Sequence, residues 1–151
     1  METGQYRSII DQFYTRMNEL GEEKCSVKIA EDKWSLKEMV GHLIDSACNN
    51  HQRFTRLRLE AELEFPAYDP EAWVRVEKIN ALSWKELTAL WYSYNHLLLN
   101  IIEGINQKDL KNTWKKGNEK LSLEFIVQDY FRHMKWHRDF FEERLKEIAG
   151  C

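Results

Sequence analysis

Proline is almost missing from this chain, with two residues in 151, and glycine is sparse at six. So few chain breakers argue against a fold of many short strands and tight turns and favour an all-helical protein. Cysteine is as thin. Cys25, Cys48 and Cys151 are odd in number, scattered and without a Cys-x-x-Cys pair. They fit no disulfide framework and read as reduced thiols of a cytoplasmic protein, with Cys25 and Cys48 expected to be buried and unreactive. No apolar run is long enough to span a membrane, and Met1 to Ser8 is polar where a secretory signal would be apolar. Nor does any face collect a long basic run. With a net charge of -3 and a pI near 6.0, nucleic acid is not the expected partner.

What is present is enough for one domain, residues 1–151, with 43% hydrophobic and 31% charged residues. Ile9, Ile10, Phe13, Met17 and Leu20 recur at helical spacing and predict helix one over Tyr6–Leu20. A polar link, Glu22–Lys33, follows. Ser35-Leu36-Lys37-Glu38 is a capping box, and helix two is predicted from there to about Glu62. Residues 63–82 form a long connection, within which Asp69 and Pro70 start a short helix. Ser83 to Glu86 is a second capping box and opens helix three, which runs to about Gly104. Residues 106–121 read as a polar turn region. Ser122 caps helix four, Leu123 to Ile148. Four long amphipathic helices joined by one long crossover between the second and third predict a four-helix bundle.

The organising stretch lies inside helix four. His133 and His137 are four apart, so they stack one turn above the other. Ile126, Tyr130, Phe140 and Phe141 share their arc, which makes that arc the core side. Imidazoles on a core face need partners, since an unpaired buried polar group is costly. A divalent metal is one such partner. The segment reads His-Met-Lys-Trp-His, without the glutamate that serves as base in His-Glu-x-x-His peptidases, so a peptidase of that type is disfavoured.

A third ligand must come from elsewhere. His96 reads as outward-facing on helix three. On helix two, His51 lies nearer the apolar arc than His42, and periodicity leaves the choice between them open. His42 shares its flank with Ser46, Asn49 and Arg53, which looks like the wall of a polar pocket. Asp45 nearby could orient a ligand or act on a metal-activated water. Tyr68, Trp73, Trp91 and Trp136 would either wall a substrate pocket or fill the bundle core.

Three segments carry a family resemblance. Lys33 to Leu43 resembles the opening of helix two in the DinB/YfiT-like superfamily. Phe65 to Val74 looks like its crossover motif, and His133 to His137 like its helix-four pair. The resemblance implies an up-down-down-up four-helix bundle and a divalent metal (zinc, nickel or iron) held by His42, His133 and His137. It thereby selects His42 over His51. It also implies a thiol S-transferase, in which the metal activates a low-molecular-weight thiol. Arg53, Asn49 and Lys37 are then candidates to hold that cofactor. The alternatives are a metal-dependent hydrolase of a small molecule, with Asp45 as base, or a non-catalytic helical stress-response module. A homodimer would be in keeping with the family.

Overall fold

A computed structural model describes residues 3–150, so the expectation for Cys151 lies outside the described residues. In chain order the helices are α1 (Gly4–Asn18), α2 (Glu22–Cys25), α3 (Leu36–Arg56), α4 (Pro70–Glu77), α5 (Trp84–Glu103) and α6 (Leu123–Ala149). α1, α3, α5 and α6 are the long ones. Their starts follow local chemistry. Ser35 Oγ accepts from the Glu38 N–H at 3.1 Å, and the Glu38 carboxylate accepts from the Ser35 N–H at 2.8 Å, so both halves of the capping box form. Asp69, Ser83 and Ser122 each satisfy one first-turn amide of the helix they open.

Helix direction can be read from pairs of contacts. At the start of α3, Lys37 Nζ donates to the Leu82 carbonyl at 2.5 Å, just before α5 begins. Midway, His51 Nδ1 meets the Tyr94 hydroxyl at 3.1 Å. Past the end of α3, Arg58 donates to the Ile101 carbonyl at 3.3 Å. These contacts run in the same order along both chains, so α3 and α5 are parallel. α1 opposes α5, because Met17 near its end meets Trp84 and Thr3 before its start meets Glu103. α6 runs with α1, as Tyr6 stacks on Phe131 and Phe13 meets Phe141 edge-on. The result is an up-down-down-up four-helix bundle. Its core is built of Ile10, Phe13, Phe54, Trp91, Phe131 and Phe141, all buried. Each contributes roughly 1.5–3 kcal/mol through removal of its apolar surface from water. Among the described residues, no helix is long and apolar enough to cross a membrane.

Sequence and structure differ most beyond α3. The helix stops at Arg56, not near Glu62, and the chain enters a short strand, β1 (Glu62–Glu64). The polar region after α5 is not a simple turn. It holds β2 (Thr113–Lys116) and β3 (Glu119–Ser122), an antiparallel hairpin turning at Gly117 with φ 61°. β1 joins β2 in parallel, with Leu63 opposite Trp114. Both side chains are buried, and that burial is what turns the chain out of α3. One thiol also differs from expectation: Cys25 is buried, with its pKa pushed up by burial to about 12, but Cys48 is exposed.

Candidate metal centre

His42 lies on the second turn of α3, and His133 and His137 lie midway along α6, antiparallel to it. α3 and α6 pack so that the three side chains meet. The Nε2 atoms of His137 and His133 are 3.0 Å apart, and those of His42 and His133 are 3.4 Å apart. The three ligand atoms all fall within 4.8 Å of one another. Tetrahedral coordination with bonds of about 2.0–2.1 Å sets ligand nitrogens roughly 3.3 Å apart. The spacing therefore suits one small divalent cation.

The electrostatics fit the same group. Burial pushes the His42 imidazole down to about 4, with a further contribution from His133. Burial pushes His137 down to about 3, helped by His133 and His42. His133 is also lowered by burial, against the opposing pull of Asp129. At neutral pH all three rings are uncharged and keep a lone pair for a Lewis acid. Nδ1 of His42 and of His137 is enclosed without a hydrogen-bond partner. Three uncharged rings whose Nε2 atoms converge can each turn a lone pair to one cation.

The remaining candidates lie elsewhere or make other contacts. His51 is bonded to Tyr94, on the side of α3 that faces α5. His96 is half-buried rather than fully outward, held by Asp11 at 3.2 Å and Arg7 at 3.2 Å against α1. Lys37 is buried and fully engaged by Glu22 and two backbone carbonyls at the α2–α5 junction, so it is not available to a cofactor. Asn49 spends its amide on the Asp45 carbonyl of its own helix at 2.9 Å. Asp45 is buried with one oxygen unpartnered. Burial and the Glu77 carboxylate of α4 hold it up at about 7.

Two cavities flank the histidines. One, of about 280 Å³, is lined by His42, His133, Ser46, Asn50, Tyr68 and Arg53, among others. The second, of about 410 Å³, lies on the other side, between Trp34, Glu71, Trp136 and His137. Of the aromatic group, Tyr68 lines the first cavity and Trp136 the second, whereas Trp91 is core and Trp73 is a partly exposed neighbour of Tyr68. Trp34 escaped the reading by helical period because it precedes α3. Its ring centroid is 5.1 Å from that of His42, and its Nε1 donates to Glu71 at 3.1 Å. Trp114 was hidden in the same way. Its signal was the two-residue Gly117-Asn118 turn between the segments that pair as β2 and β3, a hairpin pattern.

The family model for the DinB superfamily matches residues 5–140. The chain belongs to the DinB superfamily. Among solved structures, this DinB superfamily protein is similar to YfiT from Bacillus subtilis, described as "a probable metal-dependent hydrolase with an unusual four-helix bundle topology". The TM-score is 0.78 at 18% identity, covering 97% of this chain and 86% of the other. It is also similar to the DinB-like protein YjoA of the same organism, with a TM-score of 0.61 at 17% identity over 95% and 85% of the two chains. Both likenesses concern the fold. A protein of Oceanobacillus iheyensis, provisionally named a metal-dependent hydrolase, is 24% identical over 112 residues. That match covers 74% of this chain and 58% of the relative, so the chain spans little more than half of the curated protein it resembles.

Proposed function

We propose that this protein is a divalent-metal-dependent enzyme acting on a small molecule, with His42, His133 and His137 as the metal ligands and hydrolysis as its reaction. The observation that carries this reading is the convergence of three uncharged Nε2 atoms, two from buried histidines and one from the half-buried His133, beside a cavity. Three protein ligands leave a coordination position for a substrate or nucleophile, the arrangement of catalytic rather than structural sites. A bound zinc, nickel or iron ion there would act as a Lewis acid and acidify a protic nucleophile that reached it. The chain's own residues do the rest. The imidazoles, uncharged at neutral pH, hold their lone pairs toward the open side. Tyr68 and Trp34 limit water access around His42. Asp45, held up at about 7 by burial and Glu77, has a proton affinity suited to acid–base work at neutral pH but lines neither cavity, whereas Asp129 lines the smaller one beside His133.

A second reading, thiol S-transfer, is favoured by one observation: among the described residues, no carboxylate is part of the histidine cluster. A thiol acidified by a metal needs no protein base to become a nucleophile. The test starts with metal content. Metal should be near-stoichiometric in wild type and His51→Ala but lost from His42→Ala and His137→Ala. The metal-loaded protein is then offered an activated ester without thiol, and a generic electrophile with and without a small thiol. Thiol-independent ester cleavage supports hydrolysis, and thiol-dependent loss of the electrophile supports transfer. A wild type that stays metal-free after reconstitution removes both.

A further inference from the structure

The cavity of about 280 Å³ has a second pole. His42 and Arg53 are eleven residues apart on α3, which is about 20° apart in angle and roughly 16 Å along the axis. They therefore share a face, and Arg53, whose side chain leans back toward the helix start, lines the same cavity as His42 and His133. Arg53 is 7% exposed, yet among the described residues it forms no ion pair. Its guanidinium lies 3.8 Å from the Trp114 ring centroid and 5.9 Å from that of Phe65. Nη1 donates to Asn50 Oδ1 at 3.3 Å, and Nε is enclosed without an acceptor. Burial without an anion lowers its pKa to about 10. The other charged groups lining the cavity are Lys116, which is exposed, and Asp129, which is paired with Arg132.

A buried cation without a counter-charge is costly, and proteins keep such groups where something else supplies the anion. Aromatic rings attract the guanidinium but cannot accept its hydrogen bonds as an oxyanion would. We propose that Arg53 is the seat for an oxyanion group, a carboxylate or a phosphate, of a small substrate whose other end reaches the histidine cluster. The substrate class is thus a short anionic molecule with its reactive centre several bonds from its charge. This rests on the metal reading for the reactive end only; the anion seat stands on Arg53 and the cavity.

The test is equilibrium binding by calorimetry to the full chain, first stripped of metal. The probes are glutarate, its neutral diamide glutaramide, and inorganic phosphate. Wild type should bind glutarate or phosphate at least tenfold tighter than glutaramide, and the tighter of the two names the anion. Arg53→Gln should lose that preference while keeping its helical circular dichroism, and Arg53→Lys should retain part of it. Equal binding of glutarate, phosphate and glutaramide by wild type would overturn the proposal. So would an unchanged preference in folded Arg53→Gln. If that variant fails to fold, the wild-type comparison and Arg53→Lys still decide. Because metal is absent, a failed metal assay alongside a retained anion preference would sink the metal reading and leave this one standing.

Discussion

At the scale of single residues, the histidines link the site to stability. In the metal-free protein His42 and His137 are held down at about 4 and about 3, whereas in an unfolded chain a histidine titrates near 6.5. Below that unfolded value the unfolded chain takes up protons that the folded one refuses, so stability falls as pH drops. Thermal unfolding of metal-stripped protein should show a melting temperature that declines from about pH 6.5 toward pH 4. His137→Gln should flatten part of that slope. A divalent metal binds the folded state and competes with protons, so it should raise the melting temperature at pH 7 and lose its effect only as the pH falls to about 4, where the folded-state ligands take up protons. Gly41 makes a different residue-level prediction. A Cβ there would come within 2.7 and 2.9 Å of the two γ-carbons of Ile79, close to the branch point of that side chain. Gly41→Ala gains about 1 kcal/mol of helix propensity, but overpacking costs about 1–3 kcal/mol. The net expectation is a lower midpoint in urea, and in an Ile79→Ala background the same Gly41→Ala change should lose that penalty.

At the scale of elements, the start of α3 fixes the height of His42. Ser35 caps the helix and its hydroxyl also donates to Asn80 Oδ1 at 2.6 Å. Ser35→Ala removes the cap and that tie to the crossover, and should cost about 1–2 kcal/mol in a denaturation curve. Such capping signals explain why the helix starts were legible in the sequence: Ser35, Asp69 with Pro70, Ser83 and Ser122 each act on residues three positions away. The end of α3 was illegible for the converse reason. Leu57, Arg58, Leu59 and Glu60 carry no breaker, and the helix stops because Leu63 finds Trp114, some fifty residues later. Likewise, helical period ranked His51 above His42 because period describes one helix in isolation. Which flank of α3 meets α6 is a property of packing, and only the family resemblance pointed to His42 beforehand.

At the scale of the whole molecule, the parallel pairing of α3 with α5 follows from the crossover, residues 57–83, which returns the chain to the end of the bundle where α3 began. The crossover also brings Tyr68 and Glu71 over the cluster and supplies Glu77 beside Asp45. Loss of the crossover's register should therefore disturb the site more than the bundle. Pro70→Gly frees the first turn of α4 and should lower metal affinity several-fold while far-ultraviolet circular dichroism stays near wild type. Equilibrium dialysis against a zinc indicator reads the first quantity.

His42 and His133 touch across 91 positions of sequence. A growing chain therefore presents His42 without its two partner imidazoles until α6 has been made. Those two arrive together, one turn apart, on α6. Until then the nascent protein has no chelate to offer, and a chain released early would be chemically silent rather than partly active. Formation of the centre thus reports that α6 has docked.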